Sequence, residues 1–230
     1  MIPDKNLFIV TSALKPNFGV FNDSDRFAQT VASLKSIRKQ IPEAIILFAD
    51  ISVRPVPDLE REVIGGLCNL YLDLKDEPNT NYCAVNGLKS HGENCLLGSV
   101  LINLKNNPQI SPIMKDVKRI FKFSARSELE DTFNIKEYDN LFGKFVFKKR
   151  IVSWSNPNTS LFITRMFSFC PSLVDTYLDT IRKNLNDLSN NLVPDTEHAH
   201  FRNIPEKYLV EFDKIHCWGW LAGNGQIEHY

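Results

Sequence analysis

The chain has 230 residues, of which 43% are hydrophobic and 11% aromatic, and this composition favours a folded protein with a large core over a disordered one. Lysine plus arginine and aspartate plus glutamate both total 27, so the formal net charge is zero. A protein whose main partner is a nucleic-acid backbone needs a basic surface, which this balance does not provide. The length suits one α/β domain over residues 1–230, or a domain plus a small appendage.

The sequence also indicates a compartment. It has no run of about eighteen apolar residues that would span a membrane. Its first residues, MIPDKNLFIV, lack the basic segment and the long apolar segment of a signal peptide. The five cysteines are scattered and form no Cys-x-x-Cys or Cys/His cluster. We therefore expect reduced thiols in the cytoplasm, or in the host cytoplasm if the protein is viral, and no zinc site.

Strands and helices alternate along the first half of the chain. In chain order, the hydrophobic pattern predicts a strand at 7–13, a helix at 24–41, a strand at 44–50, a short helix at 55–66, a strand at 67–73 and a helix at 90–104. This alternation predicts right-handed crossovers and a parallel sheet. Further on, 171–188 has the periodicity of a scaffold helix, and the polar stretch 184–195 is predicted to be a mobile loop over the site.

Polar side chains fall at the predicted strand ends. Parallel α/β sheets bind ligands beyond the carboxyl ends of their strands, and the candidates there are Thr11, Ser12, Asp50, Ser52 and Asp73. Asp50 directly ends the apolar run IILFAD, which favours a contact with a ligand. The alternative for Asp50 is an aspartate that caps a helix or a turn.

A dinucleotide-binding fold also places an acid at the end of its second strand. That fold needs a glycine-rich turn after the first strand, so that the backbone can approach the phosphates. The corresponding stretch here, TSALKPNFGVFNDSDR, is long and contains one glycine. Dehydrogenase and methyltransferase functions are therefore disfavoured.

The end of the long first loop overlaps the stretch DRFAQTVASLKSIRKQIPEAIILFADIS. Loop and stretch together resemble the opening of the GT-A-fold glycosyltransferases, which bind a nucleotide-sugar donor. Further stretches are similar, in order, to bacterial and viral polysaccharide-type transferases: KSHGENCLL (89–97), IFKFSARSELED (120–131), FVFKKR (145–150), SLFITRMFS (160–168), EHAHF (197–201) and KIHCWGWLAGNG (214–225). The resemblance implies one GT-A-like domain with a mostly parallel central sheet flanked by helices. Residues 1–110 would form its nucleotide-binding half and 111–230 its acceptor and catalytic half.

The resemblance also implies an activity. The chain would be a hexosyltransferase-like enzyme that moves a sugar from a nucleotide-diphosphate donor to a hydroxyl of a glycan or glycoprotein, as in polysaccharide biosynthesis. In that family the loop after the first strand and the acid ending the second cradle the base and ribose. This assigns the donor nucleoside to Thr11, Ser12, Asp50 and Ser52.

Two positions near helix starts are candidates for binding the donor's phosphates or sugar. Arg26 lies on the first turn of the first helix, where an arginine can bind phosphate; the alternative is a surface arginine paired with a neighbouring aspartate. Lys89 stands just ahead of the helix predicted at 90–104. Glu93 is a further candidate, although SHGE has the spacing of a capping box in which Glu93 returns to the Ser90 amide.

The most informative departure from the family lies in FKFSARSEL. GT-A enzymes usually carry Asp-x-Asp at this strand end, and its carboxylates hold a divalent metal that bridges the diphosphate. The matching residues here are Ser124, Ala125 and Arg126. We therefore expect Arg126 to meet the diphosphate and any dependence on Mn or Mg to be weak. Arg126 could instead pair with the acids at 128–131, and Asp73 or Asp76 could hold a metal in an unanticipated arrangement.

The C-terminal part supplies candidates for proton transfer. Glu197 is the best candidate for the base that deprotonates an acceptor, by resemblance, with His198 as its neighbour. If Asp195 or Thr196 caps a helix, Glu197 is a first-turn acid instead. For His198 and His200 the alternative is a place on a helix surface. His216 is a minor candidate for the diphosphate, with a core histidine as the alternative.

Three tryptophans, Trp154, Trp218 and Trp220, can stack on sugar rings or belong to the core.

Two rival functions stay open. One is a sugar nucleotidyltransferase, whose glycine-rich, lysine-bearing loop is not visible after the first strand. The other is a non-catalytic glycan- or nucleotide-binding protein on the same fold.

Overall fold

The structure is a computed structural model, and it describes residues 4–221 and 224–230. Ala222 and Gly223 of the motif at 214–225, and the first three residues of MIPDKNLFIV, lie outside the described residues. The strands are β1 (Lys5–Ser12), β2 (Ile45–Asp50), β3 (Leu70–Asp73), β4 (Val117–Ser124), β5 (Ser127–Leu129), β6 (Phe145–Lys148), β7 (Ile151–Val152), β8 (Ser160–Leu161), β9 (Met166–Phe169), β10 (Leu209–Phe212), β11 (Cys217–Trp220) and β12 (Ile227–His229). The helices are α1 (Asp23–Gln40), α2 (Asp58–Leu67), α3 (Pro78–Val85), α4 (Lys89–Asn106), α5 (Val174–Ser189) and α6 (Thr196–Asn203).

A seven-stranded sheet forms the centre of the fold, in the order β10-β6-β9-β4-β1-β2-β3. β1 pairs in parallel with β2 and β4, and β2 pairs in parallel with β3. β9 runs antiparallel to both β4 and β6. Two small sheets, β12-β11-β5 and β7-β8, complete the described strands. The predicted α/β fold with a mostly parallel central sheet is confirmed.

Each face of the sheet is buried by helices. On one face Phe8, Phe48 and Phe121 pack with Leu34 of α1 and Ile64 of α2. The other face buries a second cluster, which includes Ile9, Leu47, Leu101 of α4 and Tyr177 of α5. Burial on both faces explains why the strands read as nearly continuous apolar runs. No helix among the described residues is long and apolar enough to cross a membrane.

The strand register aligns the predicted polar residues along one edge of the sheet. Ser12 lies opposite Asp50, Asp50 opposite Asp73, and Thr11 opposite Ser124. These are the carboxyl ends of β1, β2, β3 and β4, so the strand-end positions follow from the predicted parallel sheet.

Two local predictions are wrong. The stretch 184–195 is not one loop, because α5 continues to Ser189 and leaves only a short turn before α6. The turn includes Asn191 at φ 52°, in the left-handed region. His216 is not in a strand: it has φ 53° and immediately precedes β11.

Candidate functional site

A cleft of about 380 Å³ lies at the carboxyl ends of β1 and β4, within the range of sites for small molecules. The elements that border it are the ends of β1 and β4, the loop at 13–21, the α3–α4 junction, the start of α4, the segment before β9 and the first turn of α6. These elements come from both halves of the chain. Most of the polar side chains assigned from the sequence meet here, namely Thr11, Ser12, Arg26, Lys89, Glu93, Ser124, Arg126 and Glu197.

Asp50 and Ser52 are not brought into the cleft. Asp50 is fully buried, and its Oδ1 accepts a hydrogen bond from Leu14 N at 3.0 Å. Ser52 is also buried, and its Oγ accepts from Lys15 N at 2.9 Å. Both residues therefore hold the loop after β1 against the end of β2. Desolvation raises the pKa of Asp50 from 3.8 to about 6, although the neighbouring polar groups of Ser52 and the hydrogen bond from Leu14 N lower it.

The loop held by Asp50 reaches across to the α3–α4 junction. Gly87 has φ +70°, and a Cβ atom there would lie only 3.1 Å from the ring of Phe18. The glycine thus permits both the left-handed backbone and the close approach of the aromatic ring. At its other end the loop packs on the C-terminal turn, since a Cβ at Gly225 would lie 3.6 Å from the Phe21 ring.

Three guanidinium groups converge on the cleft, from Arg26, Arg126 and Arg165. Arg26 is only 7% exposed and donates hydrogen bonds to Ala13 O and Gln29 Oε1. Arg126 donates to the backbone oxygen of Trp220 at 3.3 Å. Arginine–carboxylate ion pairs in the described parts of the chain involve other arginines: Arg54, Arg61, Arg150, Arg182 and Arg202.

The electrostatics show that these arginines are close enough to repel one another. Desolvation, together with the charges of Arg165 and Arg26, lowers the pKa of Arg126 to about 9. Desolvation likewise lowers the pKa of Arg26 to about 10, against an opposing effect of Asp50. An anion bound among the three groups would relieve this repulsion.

Both surface alternatives for these arginines are wrong. Arg26 is buried and forms no ion pair with Asp23, which pairs with Arg54 instead. Among the described residues, no acid at 128–131 forms an ion pair with Arg126. Glu130 pairs with His229, and Asp131 pairs with Lys39 on the surface.

Arg165 was not among the residues singled out from the sequence. It lies in the SLFITRMFS motif, directly before the short antiparallel strand β9, and its backbone oxygen accepts from Ser124 N at 2.9 Å. That bond places Arg165 beside the end of β4, where Arg126 follows. The single arginine of SLFITRMFS is the sequence signal for a phosphate contact here, because a guanidinium group suits phosphate oxygens.

A hydrogen-bonded network connects the two carboxylates of the cleft. Glu93 forms an ion pair with the buried Lys122, whose Nζ also donates to Thr164 O at 2.6 Å. Thr164 Oγ1 in turn donates to Glu197 Oε1 at 3.1 Å. Lys122 lowers the pKa of Glu93 against the effect of desolvation. The capping-box alternative for Glu93 is wrong, because α4 begins at Lys89 and has no side-chain cap.

Glu197 lies on the first turn of α6, which Asp195 caps by accepting from His198 N at 3.0 Å. The capping alternative is therefore correct for Asp195, yet Glu197 also faces the cleft. Desolvation raises the pKa of Glu197 to about 7, and the charges of Glu93 and Asp195 raise it as well. A carboxyl group with this pKa can exchange a proton near neutral pH.

The histidines occupy positions outside the cleft. His198 is buried, not on the surface, with Nδ1 2.6 Å from Asp195 Oδ1 and Nε2 2.6 Å from Ser153 Oγ. His200 is also buried, 2.9 Å from Tyr177 Oη. His216 is half-buried, so the core alternative is wrong, and it contacts Thr132 Oγ1 at 2.9 Å. Neither His198 nor His216 lines the cleft.

The residues at the end of β4 do not fit a divalent metal of the kind that Asp-x-Asp would hold. Ser124 and Arg126 border the cleft there, and the guanidinium repels a cation. The cleft's carboxylates are engaged by Lys122 and Thr164. Asp73 is paired with Arg61 and Lys75. Over residues 4–221 and 224–230, no group of three or more His, Cys, Asp or Glu side chains could hold a metal ion.

No protein-family model matches the chain, and no curated protein matches it either. Solved structures do. The galactosyltransferase LgtC, in complex with donor and acceptor sugar analogues, superposes with a TM-score of 0.52 at 8% identity, over 89% of this chain and 72% of that one. A glycosyltransferase involved in glycosylation of the major capsid of PBCV-1 has a TM-score of 0.50 at 7% identity, over 91% of this chain and 82% of that one. The chain therefore has the GT-A fold of the glycosyltransferases.

Proposed function

We propose that this protein is a glycosyltransferase that moves a sugar, of the hexose type, from a nucleotide-diphosphate donor to a hydroxyl of a glycan or glycoprotein. The observation that carries the proposal is the convergence of Arg26, Arg126 and Arg165 on a cleft at the carboxyl edge of a GT-A sheet. Three positive charges without carboxylate ion pairs among the described residues suit a ligand that carries several negative charges.

In this proposal the diphosphate lies among the arginines. A guanidinium group can donate two parallel hydrogen bonds to phosphate oxygens. Two of the three groups are held in place, Arg26 by Ala13 O and Gln29 Oε1 and Arg126 by Trp220 O. Lys89, exposed at the first residue of α4, would add a fourth charge at the rim. Because these groups stabilise the departing diphosphate, we expect at most weak dependence on Mn or Mg.

The nucleoside would lie between the end of β1 and the loop at 13–21. Thr11 and Ser12 border the cleft directly. Asp50 and Ser52 act one step removed, since they bond Leu14 N and Lys15 N and so fix the loop that carries Phe18. Preorganisation of this loop lowers the entropy that donor binding would otherwise cost.

Glu197 would be the base in an inverting reaction. Its carboxylate takes the proton of the acceptor hydroxyl while the hydroxyl oxygen bonds to the anomeric carbon. The bond from that carbon to the diphosphate oxygen breaks, and the electron pair leaves with the diphosphate. A pKa near 7 lets a large fraction of Glu197 be ionised at neutral pH. In a retaining reaction this role would be absent.

Turnover tests the proposal. The protein is incubated with a panel of UDP-, GDP-, CDP- and dTDP-sugars, with simple pyranosides as acceptors, and release of the nucleotide product is followed in chelator and in manganese. We expect release with at least one donor in the presence of chelator. Nucleotide binding without any release would instead identify a non-catalytic binding protein. Activity that needs manganese and survives Arg126→Ala would refute the role of the arginines.

Binding separates the arginines from general surface charge. Arg126→Ala and Arg165→Ala should each weaken binding of the matching nucleotide diphosphate by roughly 10- to 100-fold, the effect of one charge-assisted contact. Arg182→Ala is the matched control, because Arg182 is exposed on α5 and pairs with Asp179. Calorimetric affinities that are equal in all four proteins would contradict the assignment.

A further inference from the structure

A groove continues from the cleft along the start of α4. The two share Gly87, Leu88, Lys89 and Ser90, so a ligand in the groove would abut a ligand in the cleft. The far wall of the groove is formed by Ser155 and by the turn between α5 and α6, including Leu192. The groove therefore lies on the Glu197 side of the cleft, since α6 begins directly after that turn.

The loop between β7 and β8 carries an exposed indole one residue away from the groove wall. Trp154 is 65% exposed and directly precedes Ser155 of the groove wall. Its ring meets the ring of His198 edge to face, with centroids 5.6 Å apart and planes at 86°. An exposed tryptophan held at a fixed orientation presents a flat apolar face, which matches the apolar face of a pyranose ring.

The loop that carries Trp154 is held by hydrogen bonds to one side chain. Ser153 Oγ accepts from Ser155 N at 3.1 Å and from Asn156 N at 3.2 Å. The same hydroxyl lies 2.6 Å from Nε2 of His198, whose Nδ1 lies 2.6 Å from Asp195 Oδ1. His198 therefore positions the loop, and the chain Asp195–His198–Ser153 ties the loop to the helix turn that carries Glu197.

We propose that this groove is the acceptor site and that the acceptor is a glycan whose pyranose ring stacks on Trp154. The proposal rests on the proposed function, because it places the acceptor next to the donor cleft and the base. Two other polar side chains along the groove, Ser155 and His91, would bond the ring hydroxyls. His198 is a positioning residue for Trp154 and does not itself touch the reacting atoms.

Kinetics with the best donor and p-nitrophenyl pyranosides as acceptors test the site. Trp154→Ala should lower kcat/KM for the acceptor by about tenfold. Trp154→Phe, which keeps an aromatic ring, should lower it by less. The rate of donor hydrolysis without acceptor and the KM for the donor should not change. Phe142→Ala is the matched control, because Phe142 is an aromatic side chain 76% exposed that borders neither the cleft nor the groove. Unchanged acceptor kinetics in Trp154→Ala would overturn the proposal.

The same comparison of acceptor and donor kinetics tests the role of His198. His198→Ala should raise the KM for the acceptor but not the KM for the donor. In His198→Gln, whose amide can still bond Ser153 Oγ, the KM for the acceptor should return most of the way to the wild-type value. An equal rise in the KM values for acceptor and donor would show that His198 has a general structural role instead.

Direct binding keeps the proposal testable if no donor is turned over. Binding of oligosaccharides of different hexoses is measured by titration calorimetry in wild type, Trp154→Ala and Phe142→Ala. A saturable heat change that Trp154→Ala alone abolishes supports the glycan site even where the transferase proposal fails. No saturable heat change with any saccharide, or equal binding by Trp154→Ala, would overturn it.

Discussion

Replacing Asp50 with asparagine should stabilise the protein above neutral pH. Asp50 is fully buried, and while its Oδ1 accepts from Leu14 N, its Oδ2 has no hydrogen-bond partner in the described structure. Ionisation at this site is therefore poorly compensated, and burial raises the pKa from 3.8 to about 6. Asparagine keeps the acceptor for Leu14 N and cannot ionise.

The magnitude follows from proton linkage. A carboxyl group whose pKa is higher in the folded state binds more protons there, so folding is favoured at low pH and stability is lost as pH rises through the folded pKa. A shift of about two pKa units corresponds to roughly 3 kcal/mol above pH 7, of which about 1–2 kcal/mol is lost between about pH 5 and pH 8. Since a charge-assisted hydrogen bond is also weakened, the net gain for Asp50→Asn at about pH 8 is about 1–2 kcal/mol.

Urea denaturation followed by tryptophan fluorescence at several pH values measures this difference. Asp50→Asn should be more stable than wild type at the alkaline end, and the gap should narrow toward acid. Asp73→Asn is the matched control, because Asp73 is the register partner of Asp50 on β3 but has Arg61 and Lys75 as charged partners. If Asp50→Asn is no more stable than wild type at alkaline pH and shows the same pH slope, the reasoning from burial is refuted.

Three further predictions concern the cleft. Glu197→Gln should lower turnover by ~10²–10⁴-fold with donor affinity unchanged, and the wild-type rate should rise with pH through about 7, where Glu197 loses its proton; wild-type turnover in the variant would return Glu197 to a purely structural role. Gly87→Ala should destabilise the protein by about 1–3 kcal/mol, from the positive φ and the clash with Phe18; Phe18→Ala in the same chain should recover only the steric part of the loss in melting temperature. Lys122→Met should destabilise the protein by about 1–3 kcal/mol at neutral pH because it removes the cation paired with the partly buried Glu93; adding Glu93→Gln should restore most of that loss, and an additive pair would show that the two residues do not interact.

The parallel half of the sheet could be predicted from the sequence because its strands are buried on both faces. Runs such as IILFAD are too short for a typical helix, which favours a strand, and the ends of these strands border the cleft. The direction of one side chain at that edge could not be predicted in the same way. Asp50 ends β2 as expected, but its carboxylate turns toward Leu14 N, 36 residues away in the chain, and that contact depends on the path of the intervening loop.

Contacts between distant segments also explain the other differences. SHGE has a local capping pattern, in which Glu93 would accept from the Ser90 backbone amide. Glu93 pairs instead with Lys122 from β4, because a buried ammonium without a carboxylate partner costs more free energy than a backbone amide at a helix start. Arg165 precedes a four-residue strand that no periodicity indicates, and only its pairing beside β4 brings it to Arg126. Sequence patterns therefore predicted which elements meet at the cleft better than which side chains face it.

The first turn of α6 has two tasks that depend on helical geometry. Successive residues of a helix point about 100° apart, so Glu197 can face the cleft while His198 faces the loop at 153–156. Asp195 caps this turn and also fixes the His198 ring through Nδ1. Under the proposed function, the base and the acceptor platform would then move together, because neither can shift without breaking the cap that both share. This arrangement would keep the acceptor hydroxyl aligned with Glu197 without any direct contact between Trp154 and the base.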